Sequence, residues 1–390
     1  MIKFLQKILP AILLSLFYAQ WAMWGNPSLP VGNSDRGVGL GAGEIMLFGD
    51  YSLQTFDWWH AEVPDAFIPG TNLNEDFEHN GLLDNKILNI GFTLGLNDYW
   101  NVSLTQMISE RCMIWEGPTW QSGDDIPIGY SIGDSKTVHH RTECTSTDFI
   151  DPETNEVKAY GGYFGDARLN FKYLFSNTGK GTGSRIFGGL GLVIPSENIL
   201  TESPWAKKIY DHDNDDSTPD VLAYSPHRHF YLSDGAYKMF FELQYFKKRV
   251  KIPVFWGGAF SFEFPLNESN YGFRPSKRYD LSLMALSGPI KSIKTNFFKL
   301  SSIGLNLSFL HLSESKWDGL GATPNSEATA VIPGVSLLFN SKVGTFGINY
   351  QIGKQIYASN PGSIDEKIYI SSFTISYRRI LDQVIDSLYW

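Results

Sequence analysis

An acidic run over residues 211–220, DHDNDDSTPD, has the composition of a calcium site. Its carboxylates lie close together, and a hard cation requires several oxygen ligands at once. The run lacks the glycine at the sixth position and the glutamate at the twelfth position of an EF-hand loop, which excludes that motif. Two interpretations stay open, a loose calcium site on a surface loop and a solvated acidic loop. The candidate ligands are Asp211, Asp213, Asp215, Asp216 and Asp220.

Histidines and one serine suggest two further chemistries. The pair His139-His140 and the HRH segment at 227–229 suggest a transition metal or proton transfer, although histidines in polar loops are more often simply exposed. His311 and Ser313 share one face of a period-two segment, as they would in a lipase whose histidine activates serine against an ester. An enzyme also needs a group that orients the histidine and an oxyanion hole, and the sequence identifies neither. We therefore expect no enzyme and no catalytic residue.

These candidates lie among segments in which polar and apolar residues alternate, and GDARLNFKYLF at 165–175 is the clearest of them. Period two predicts a β-strand with one polar face and one apolar face. The alternation recurs from EIMLFGDYSLQTF near the N-terminus to YISSFTISYRR near the C-terminus, which gives twelve candidate strands. Aromatic residues make up 15% of the chain, charged residues only 19%, and 37 residues are glycine. This composition also favours β structure.

The connections between the candidate strands alternate between short and long. Segments 57–85, 112–160 and 196–236 are long, whereas the turns at Asn97 and near Lys247 are short. An outer-membrane barrel has tight periplasmic turns and long external loops, and a soluble sandwich has no reason to sort its loops in this way. The predicted fold is all-β: a transmembrane, antiparallel, up-and-down β-barrel of about twelve strands over residues 43–378.

The membrane decides which face of each strand is wet. Arg or Lys on the lipid face costs about 2–4 kcal/mol near the midplane, so we expect the polar faces to line the lumen. The lumen then either forms a path of mixed polarity or closes a narrow barrel through self-neutralising charges. The predicted lumen residues are Asp166, Arg168, Asn170, Lys172, Arg185, Lys238, Glu242, Glu263, Arg278 and Asp280, with Phe187, Phe240 and Phe255 between them.

The N-terminal residues have the layout of a secretory signal peptide. Basic residues precede an apolar run from Ile8 to about Leu16, so we expect residues 1–25 to be removed on export. The alternative is a retained membrane anchor.

Cys112 and Cys144 fit an oxidising compartment, and we expect them to form a disulfide rather than to stay as two thiols. The formal charge of −9 argues against nucleic-acid binding.

The two segments that flank the predicted barrel lack the alternation of polar and apolar residues. Residues 26–42 are rich in glycine and proline, which predicts a periplasmic segment or a plug folded into the lumen. Residues 379–390 follow the last predicted strand and are expected to form a short amphipathic C-terminal helix. Its apolar residues recur at helical spacing, namely Ile380, Leu381, Val384, Ile385 and Leu388. Outer-membrane barrels typically end on an aromatic-terminated strand instead.

Three stretches resemble one family of outer-membrane proteins. GLNDYWNVSLTQMI at 95–108, GDARLNFKYLF and GGLGLVIPSEN at 188–198 resemble, in that order, the recurring elements of the "MetA-pathway of phenol degradation" family of small transport barrels. Here Asn97-Asp98 replaces the Thr-Asp of the family's turn, and Ser196-Glu197 replaces Thr-Gly. The resemblance covers residues 28–200. It implies a transport role in the outer membrane of a Gram-negative-type bacterium, and no catalytic residues.

The sequence as a whole predicts a monomeric outer-membrane channel or transporter for passive passage of small hydrophobic or aromatic molecules. The alternative is a structural or surface-interaction barrel whose acidic outer loops bind cations or lipopolysaccharide, and an outer-membrane lipase is third. The expected partners are membrane lipid, lipopolysaccharide, the barrel-assembly machinery and the transported molecules, but no nucleic acid. No cofactor is expected, apart from Ca²⁺ at an outer loop.

Overall fold

The computed structural model of the chain describes residues 39–61, 78–116, 121–123, 131–133, 143–144, 149–150, 157–158, 162–178, 182–199, 208–210, 221–223, 231–288, 299–317, 321–322, 326–358, 369–381 and 385. At residues 57–61, 78–82, 113–116, 143–144, 149–150, 157–158, 208–210, 221–223, 317, 321 and 358 it describes the backbone alone. Within the described ranges, no helix is long and apolar enough to cross a membrane.

Twelve long strands, which we name β1 to β12 in chain order, form a closed barrel. Each strand pairs antiparallel with the strands before and after it, and β12 pairs with β1 from Leu381 opposite Ile45 to Tyr369 opposite Asp57. Closure leaves no open sheet edge, as a sheet that faces lipid requires. This confirms the predicted fold class. The strands are β1 Ile45–Ala61, β2 Glu78–Gly95, β3 Trp100–Glu116, β4 Phe164–Asn177, β5 Gly183–Ile194, β6 Lys238–Lys248, β7 Phe255–Pro265, β8 Arg278–Leu286, β9 Lys299–Leu312, β10 Ala328–Asn340, β11 Thr345–Ala358 and β12 Tyr369–Leu381.

The connections alternate in length as the sequence predicts. At one end of the barrel the strands are joined by the short turns 96–99, 178–182, 249–254 and 341–344 and by the longer connection 287–298. The connections at the other end include 62–77, 117–163 and 195–237. The first turn is fixed by Asn97, whose Oδ1 accepts hydrogen bonds from the backbone N–H groups of Tyr99 and Trp100 at 2.9 and 2.8 Å. By the usual arrangement of such barrels, the short-turn end is periplasmic and the long-loop end is extracellular.

Short paired strands lie within the long connections. Glu143–Cys144 pairs with β3, Phe149–Ile150 with Val157–Lys158, and Lys208–Tyr210 with Val221–Ala223. In the later connections Lys316–Trp317 pairs with both Phe273–Arg274 and Gly321–Ala322. These ribbons add backbone pairing beyond the barrel wall.

Several strands are longer than the alternation predicts. Strand β1 continues to Ala61, β2 begins at Glu78 and β3 continues to Glu116, so the predicted connection 57–85 shrinks to 62–77. The apolar and polar alternation marks only the portion of a strand that faces lipid. Beyond the membrane the hairpins continue through backbone pairing, which polar residues satisfy equally well.

The prediction of a C-terminal helix is wrong for residues 379–381. Arg379, Ile380 and Leu381 are the last residues of β12 and pair with residues 45–47 of β1. Closing the barrel requires partners for the backbone of β1, and this outweighs the local helical spacing. The barrel therefore extends past the predicted end at 378. The described residues include neither the predicted signal peptide 1–25 nor the rest of the predicted helix, apart from Ile385.

The outward face of the barrel carries an apolar belt between two bands of aromatic contacts. Near the periplasmic ends, ring centroids lie 4.7 Å apart for Trp100 and Tyr173 and 4.9 Å apart for Phe346 and Tyr377. Near the extracellular ends, Tyr279 stacks on Phe262 at 4.7 Å. Exposed apolar side chains occupy the wall between the bands, among them Leu104, Phe171, Leu190, Leu243, Phe260, Leu281, Leu283, Ile303, Leu305, Val335 and Ile352. Such a belt with aromatic girdles is the surface of a transmembrane barrel of outer-membrane type.

Candidate functional site

The extracellular half of the lumen holds a charged sector built by β4, β6 and β7. Arg168 Nη2 lies 2.8 Å from Glu263 Oε2, and Lys238 Nζ lies 3.7 Å from the other carboxylate oxygen of Glu263. Lys238 Nζ is also 3.8 Å from Asp166 Oδ2. These residues come from the inward positions of their strands, and barrel pairing brings the strands together. The side chains of Lys238 and Glu263 are only 10% and 9% exposed, so the two charges depend on one another.

A second ion pair extends this sector onto β8. Arg278 Nε donates to Asp280 Oδ2 at 2.6 Å, and Arg278 Nη2 donates to Asp280 Oδ1 at 2.6 Å. The fork of the guanidinium thus matches both oxygens of the carboxylate. Arg278 also lies opposite Glu263 in the register of β7 and β8. The charged sector therefore spans four strands.

Asp234 joins the charged sector, and the sequence analysis missed it. Its Oδ2 lies 2.5 Å from Lys238 Nζ. It belongs to residues 231–237, which we call the inner segment and which lead into β6. Asn198 holds this segment, because its Oδ1 accepts the N–H of Leu232 and its backbone C=O accepts the N–H of Ser233, each at 3.0 Å. An acidic residue in a non-periodic stretch gives no sequence signal that it will reach a lumen.

The remaining predicted lumen residues lie on the inward faces of their strands. Lys172 is 1% exposed, and its Nζ stands over the ring of Phe187 at 5.5 Å from the centroid. Arg168 similarly stands over Phe240 at 4.5 Å. Asn170 donates to Glu242 Oε2 at 3.2 Å. Arg185 lies opposite Phe246, an inward position of β6. The structure thus brings most of the predicted set into one polar and aromatic wall.

An apolar sector of the lumen wall begins beside the charged sector, where Leu310 and Leu312 of β9 lie opposite Asp280 and Arg278 of β8. Its members come from β1, β2, β9, β10 and β12, and Tyr231 of the inner segment packs against them. The sequence analysis missed this sector, although the inward parity of Phe56 with Gln54 and Ser52 was available as a signal. The apolar sector consists of Phe56, Leu83, Leu310, Leu312, Ala330, Ile332 and Ile370, all 9% exposed or less.

Side-chain amides line the lumen below the apolar sector. Asn306 Nδ2 donates to Asn349 Oδ1 at 2.9 Å, and Asn349 Nδ2 donates to Gln351 Oε1 at 3.1 Å. The hydroxyls of Ser52 and Thr374, on neighbouring strands β1 and β12, are 2.5 Å apart. Such mutual hydrogen bonds stabilise polar groups that the barrel wall buries.

The chain enters the periplasmic end of the lumen just before β1. Leu40 is 2% exposed and packs with Met46 and Phe48. A Cβ placed on Gly39 would lie 3.3 Å from the ring of Phe187, an inward residue of β5. Gly39 and Leu40 therefore occupy lumen space between opposite walls. They belong to residues 39–42, the described part of the predicted periplasmic or plug segment 26–42, whose residues 26–38 lie outside the described residues.

The other predicted sites have separate outcomes. The calcium candidates at 211–220 and the histidines at 139–140 and 227–229 lie outside the described residues. Cys112 stands opposite Cys144 in the register of β3 and is disulfide-bonded. Among the described residues, no group of three or more His, Cys, Asp or Glu could hold a metal ion.

The predicted pair of His311 and Ser313 makes contacts elsewhere. His311 Nδ1 lies 3.0 Å from Thr329 Oγ1. Ser313 Oγ accepts the N–H of Lys277 at 2.9 Å and donates to the backbone oxygen of Glu314 at 3.3 Å. These contacts hold both side chains at the rim of the barrel and do not join histidine to serine.

Comparisons with known proteins give remote matches only among solved structures. No protein-family model matches the sequence, and no curated protein matches it. The COG4313 outer membrane channel from Pseudomonas putida F1 is 13% identical with a TM-score of 0.49, over 88% of this chain and 97% of that one. The translocator domain of the autotransporter NalP from Neisseria meningitidis is 7% identical with a TM-score of 0.35, over 89% and 91%.

The TodX monoaromatic hydrocarbon channel, in a deltaS2 mutant, is 7% identical with a TM-score of 0.32, over 93% of this chain and 94% of that one. At these identities and scores, the matches carry no argument about function. The closed strand pairing and the apolar belt identify the chain as a membrane barrel.

Proposed function

We propose that this barrel is a passive channel of the bacterial outer membrane for small hydrophobic molecules, aromatic ones included. The observation that carries the proposal is the apolar sector, seven buried apolar residues on the lumen face of five strands. A lumen that served only ions and sugars would gain nothing from such a wall, because it offers them no hydrogen bonds. The resemblance of residues 28–200 to a phenol-degradation family supports the same function.

The two walls of the lumen suggest how passage would work. An apolar molecule would exchange contacts with water for contacts with the apolar sector, while the charged sector is neutralised by its own ion pairs and does not bind it strongly. Weak, non-directional contacts suit a channel, since a molecule must be able to leave as well as enter. Such passage runs down a concentration gradient and needs no cofactor.

Uptake by whole cells would test the proposed function. We expect a Gram-negative host that expresses the protein to accumulate radiolabelled toluene faster than the empty host, since lipopolysaccharide slows apolar solutes. Ile332→Ser should reduce the gain, because it places a hydroxyl in the apolar sector. Leu305→Ser, on the outward face of β9, is the matched control and should leave uptake unchanged. If cells that contain the folded barrel take up toluene no faster than the empty host, the channel is ruled out.

A closed structural barrel is the second candidate, and the burial of the lumen charges favours it. Lys172 and Arg111 are each 1% exposed, as in a barrel whose side chains fill its interior. In this case the outer loops would carry the function by binding cations or lipopolysaccharide. The protein would then be silent in a planar bilayer and would not alter uptake.

The third candidate is a lipase. Its sign would be a weak ester hydrolysis that is lost in Ser313→Ala.

A further inference from the structure

Two rows of inward side chains run across β12, β1 and β2 at neighbouring levels. The register places Ile370, Phe56 and Leu83 side by side in one row. The next inward row, two residues along each strand, consists of Ser372, Gln54 and Asn85. Inward residues two apart on a strand project from the same face, so an apolar shelf lies directly against an amide shelf.

The amide shelf contains polar atoms without partners. Asn85 is 1% exposed, and neither its Nδ2 nor its Oδ1 has a hydrogen-bond partner among the described residues. Gln54 is 3% exposed, and its Oε1 likewise has none. A buried amide without a partner is costly, so each one that a native protein keeps requires an explanation.

Three other lumen amides bond to one another. Asn306, Asn349 and Gln351 lie at matching levels on β9 and β11 and are linked by hydrogen bonds of 2.9 and 3.1 Å. Asn170 Oδ1 and Gln355 Oε1 are also without a partner among the described residues, but Asn85 lacks one at both ends of its amide, which leaves a donor and acceptors available beside Gln54. Those groups suit a ligand that carries one polar group able both to donate and to accept.

The charges near the amide shelf favour a neutral ligand. Arg111 lies opposite Asn85 in the register of β2 and β3 and is buried. Asp234 and Asp166 both interact electrostatically with Arg111 and favour its charged form. An anionic ligand would have to compete with two carboxylates for this guanidinium.

Tyr231 covers the apolar shelf. It belongs to the inner segment and packs against the cluster that contains Phe56, Leu83 and Ile370. Its side chain is an aromatic ring with one hydroxyl group. A free molecule of the same shape and polarity can make the same contacts once the ring of Tyr231 moves away.

We propose that these two rows, which Tyr231 covers, form a binding site for an uncharged aromatic molecule with a single hydroxyl or amide group. The ring would lie on Phe56, Leu83 and Ile370, and the polar group would bond to Asn85 and Gln54. The inference deepens the proposed function, because it names the molecules that the channel selects.

Binding of p-cresol and of toluene to the purified, folded protein in detergent tests the site. The two probes differ by one hydroxyl group, and equilibrium dialysis gives each affinity. We expect the wild type to prefer p-cresol, and Asn85→Leu to weaken p-cresol about tenfold while toluene binds as before or better, because one hydrogen bond is lost. Gln54→Leu is a second variant that should act in the same direction.

Stability measurements separate this from a structural role. Asn85→Leu should leave the thermal midpoint unchanged or raise it, since no hydrogen bond within the protein is broken. Asn349→Leu is the matched control. It should lower the midpoint, because Asn349 bonds to Asn306 and Gln351, and it should leave the preference for p-cresol unchanged.

Tyr231→Ala tests the cover. We expect it to increase the affinity for both probes several-fold, whereas Tyr237→Ala, at the exposed end of the inner segment, should have no effect.

An unchanged preference for p-cresol in both Asn85→Leu and Gln54→Leu would overturn the site, even if cells take up toluene through the protein. Failed uptake together with an Asn85-dependent preference would overturn the channel and support the site.

Discussion

Leu40 and Asn101 hydrogen-bond to each other twice. The backbone N–H of Leu40 donates to Asn101 Oδ1, and Asn101 Nδ2 donates to the backbone oxygen of Leu40, both at 3.2 Å. The two residues are 61 positions apart in sequence. One inward side chain of β3 thus binds the chain ahead of β1 inside the periplasmic end of the lumen.

Removing this pair of hydrogen bonds should open the periplasmic end. We expect Asn101→Ala to raise single-channel conductance in a planar bilayer, because Leu40 loses its side-chain partner. Deletion of residues 27–40 should raise it further. Ser103→Ala is the control, since Ser103 lies one inward position further along β3 and bonds to Thr93 rather than to Leu40. Unchanged conductance in both Asn101→Ala and the deletion would contradict a plug.

Lys238→Met should destabilise the barrel. The substitution keeps the length of the side chain but leaves the carboxylates of Asp234, Asp166 and Glu263 without their shared cation. Removing one partner of a buried ion pair costs about 3–5 kcal/mol. The free energy of unfolding, measured with urea in detergent, should fall by an amount of this size. Lys247→Met, at an exposed position of the same strand, should change it little, and equal losses in the two variants would count against a buried network.

Glycine at position 191 allows an aromatic ring to approach the wall. A Cβ on Gly191 would lie 2.0 Å from Cζ of Phe240 and 2.6 Å from the backbone oxygen of Leu169. Gly191→Ala should therefore displace Phe240 from beneath Arg168 and cost about 1–3 kcal/mol of stability. Gly189→Ala makes a milder contact, 3.0 Å to Asn170 Oδ1, and serves as the comparison. A Gly191→Ala barrel as stable as Gly189→Ala would show that Phe240 can move without cost.

The disulfide of Cys112 should hold the extracellular ribbon rather than the barrel. We expect no reaction of the folded protein with iodoacetamide until a reductant is added, by mass spectrometry. Cys112→Ser should then increase proteolytic cleavage between residues 117 and 142, because a cross-link between β3 and Glu143–Cys144 limits the motion of the connection. The heat-modifiable mobility of the folded barrel should not change. Alkylation without reductant would contradict the bridge.

The acidic run at 211–220 keeps its two interpretations. A calcium site there predicts that Ca²⁺ protects the connection between β5 and β6 from proteolysis, and that Asp213→Asn with Asp215→Asn removes the protection. A solvated loop predicts no effect of Ca²⁺.

Alternation predicts the face of each strand well, because lipid and water impose opposite demands on successive residues. Arg168, Lys172 and Glu263 lie inward in the structure, on strands that were recognised from sequence. The ends of β1, β2 and β12 were misjudged, since pairing outside the apolar belt depends on the neighbouring strand and not on local polarity. Ile380 and Leu381 illustrate this, for their helical spacing was overridden by the closure of the barrel.

The membrane barrel, its strand faces and the asymmetry of its loops follow from the sequence alone, because period two and loop length are local properties of a chain between water and lipid. Tertiary structure decided which inward residues meet. Ser52 and Thr374 are 322 positions apart and hydrogen-bonded only because β1 closes on β12. The same closure gathers the apolar sector from five strands, while the register of β1 and β2 sets Asn85 beside Gln54. Periodicity states which way a side chain points, whereas barrel closure and register decide what it contacts.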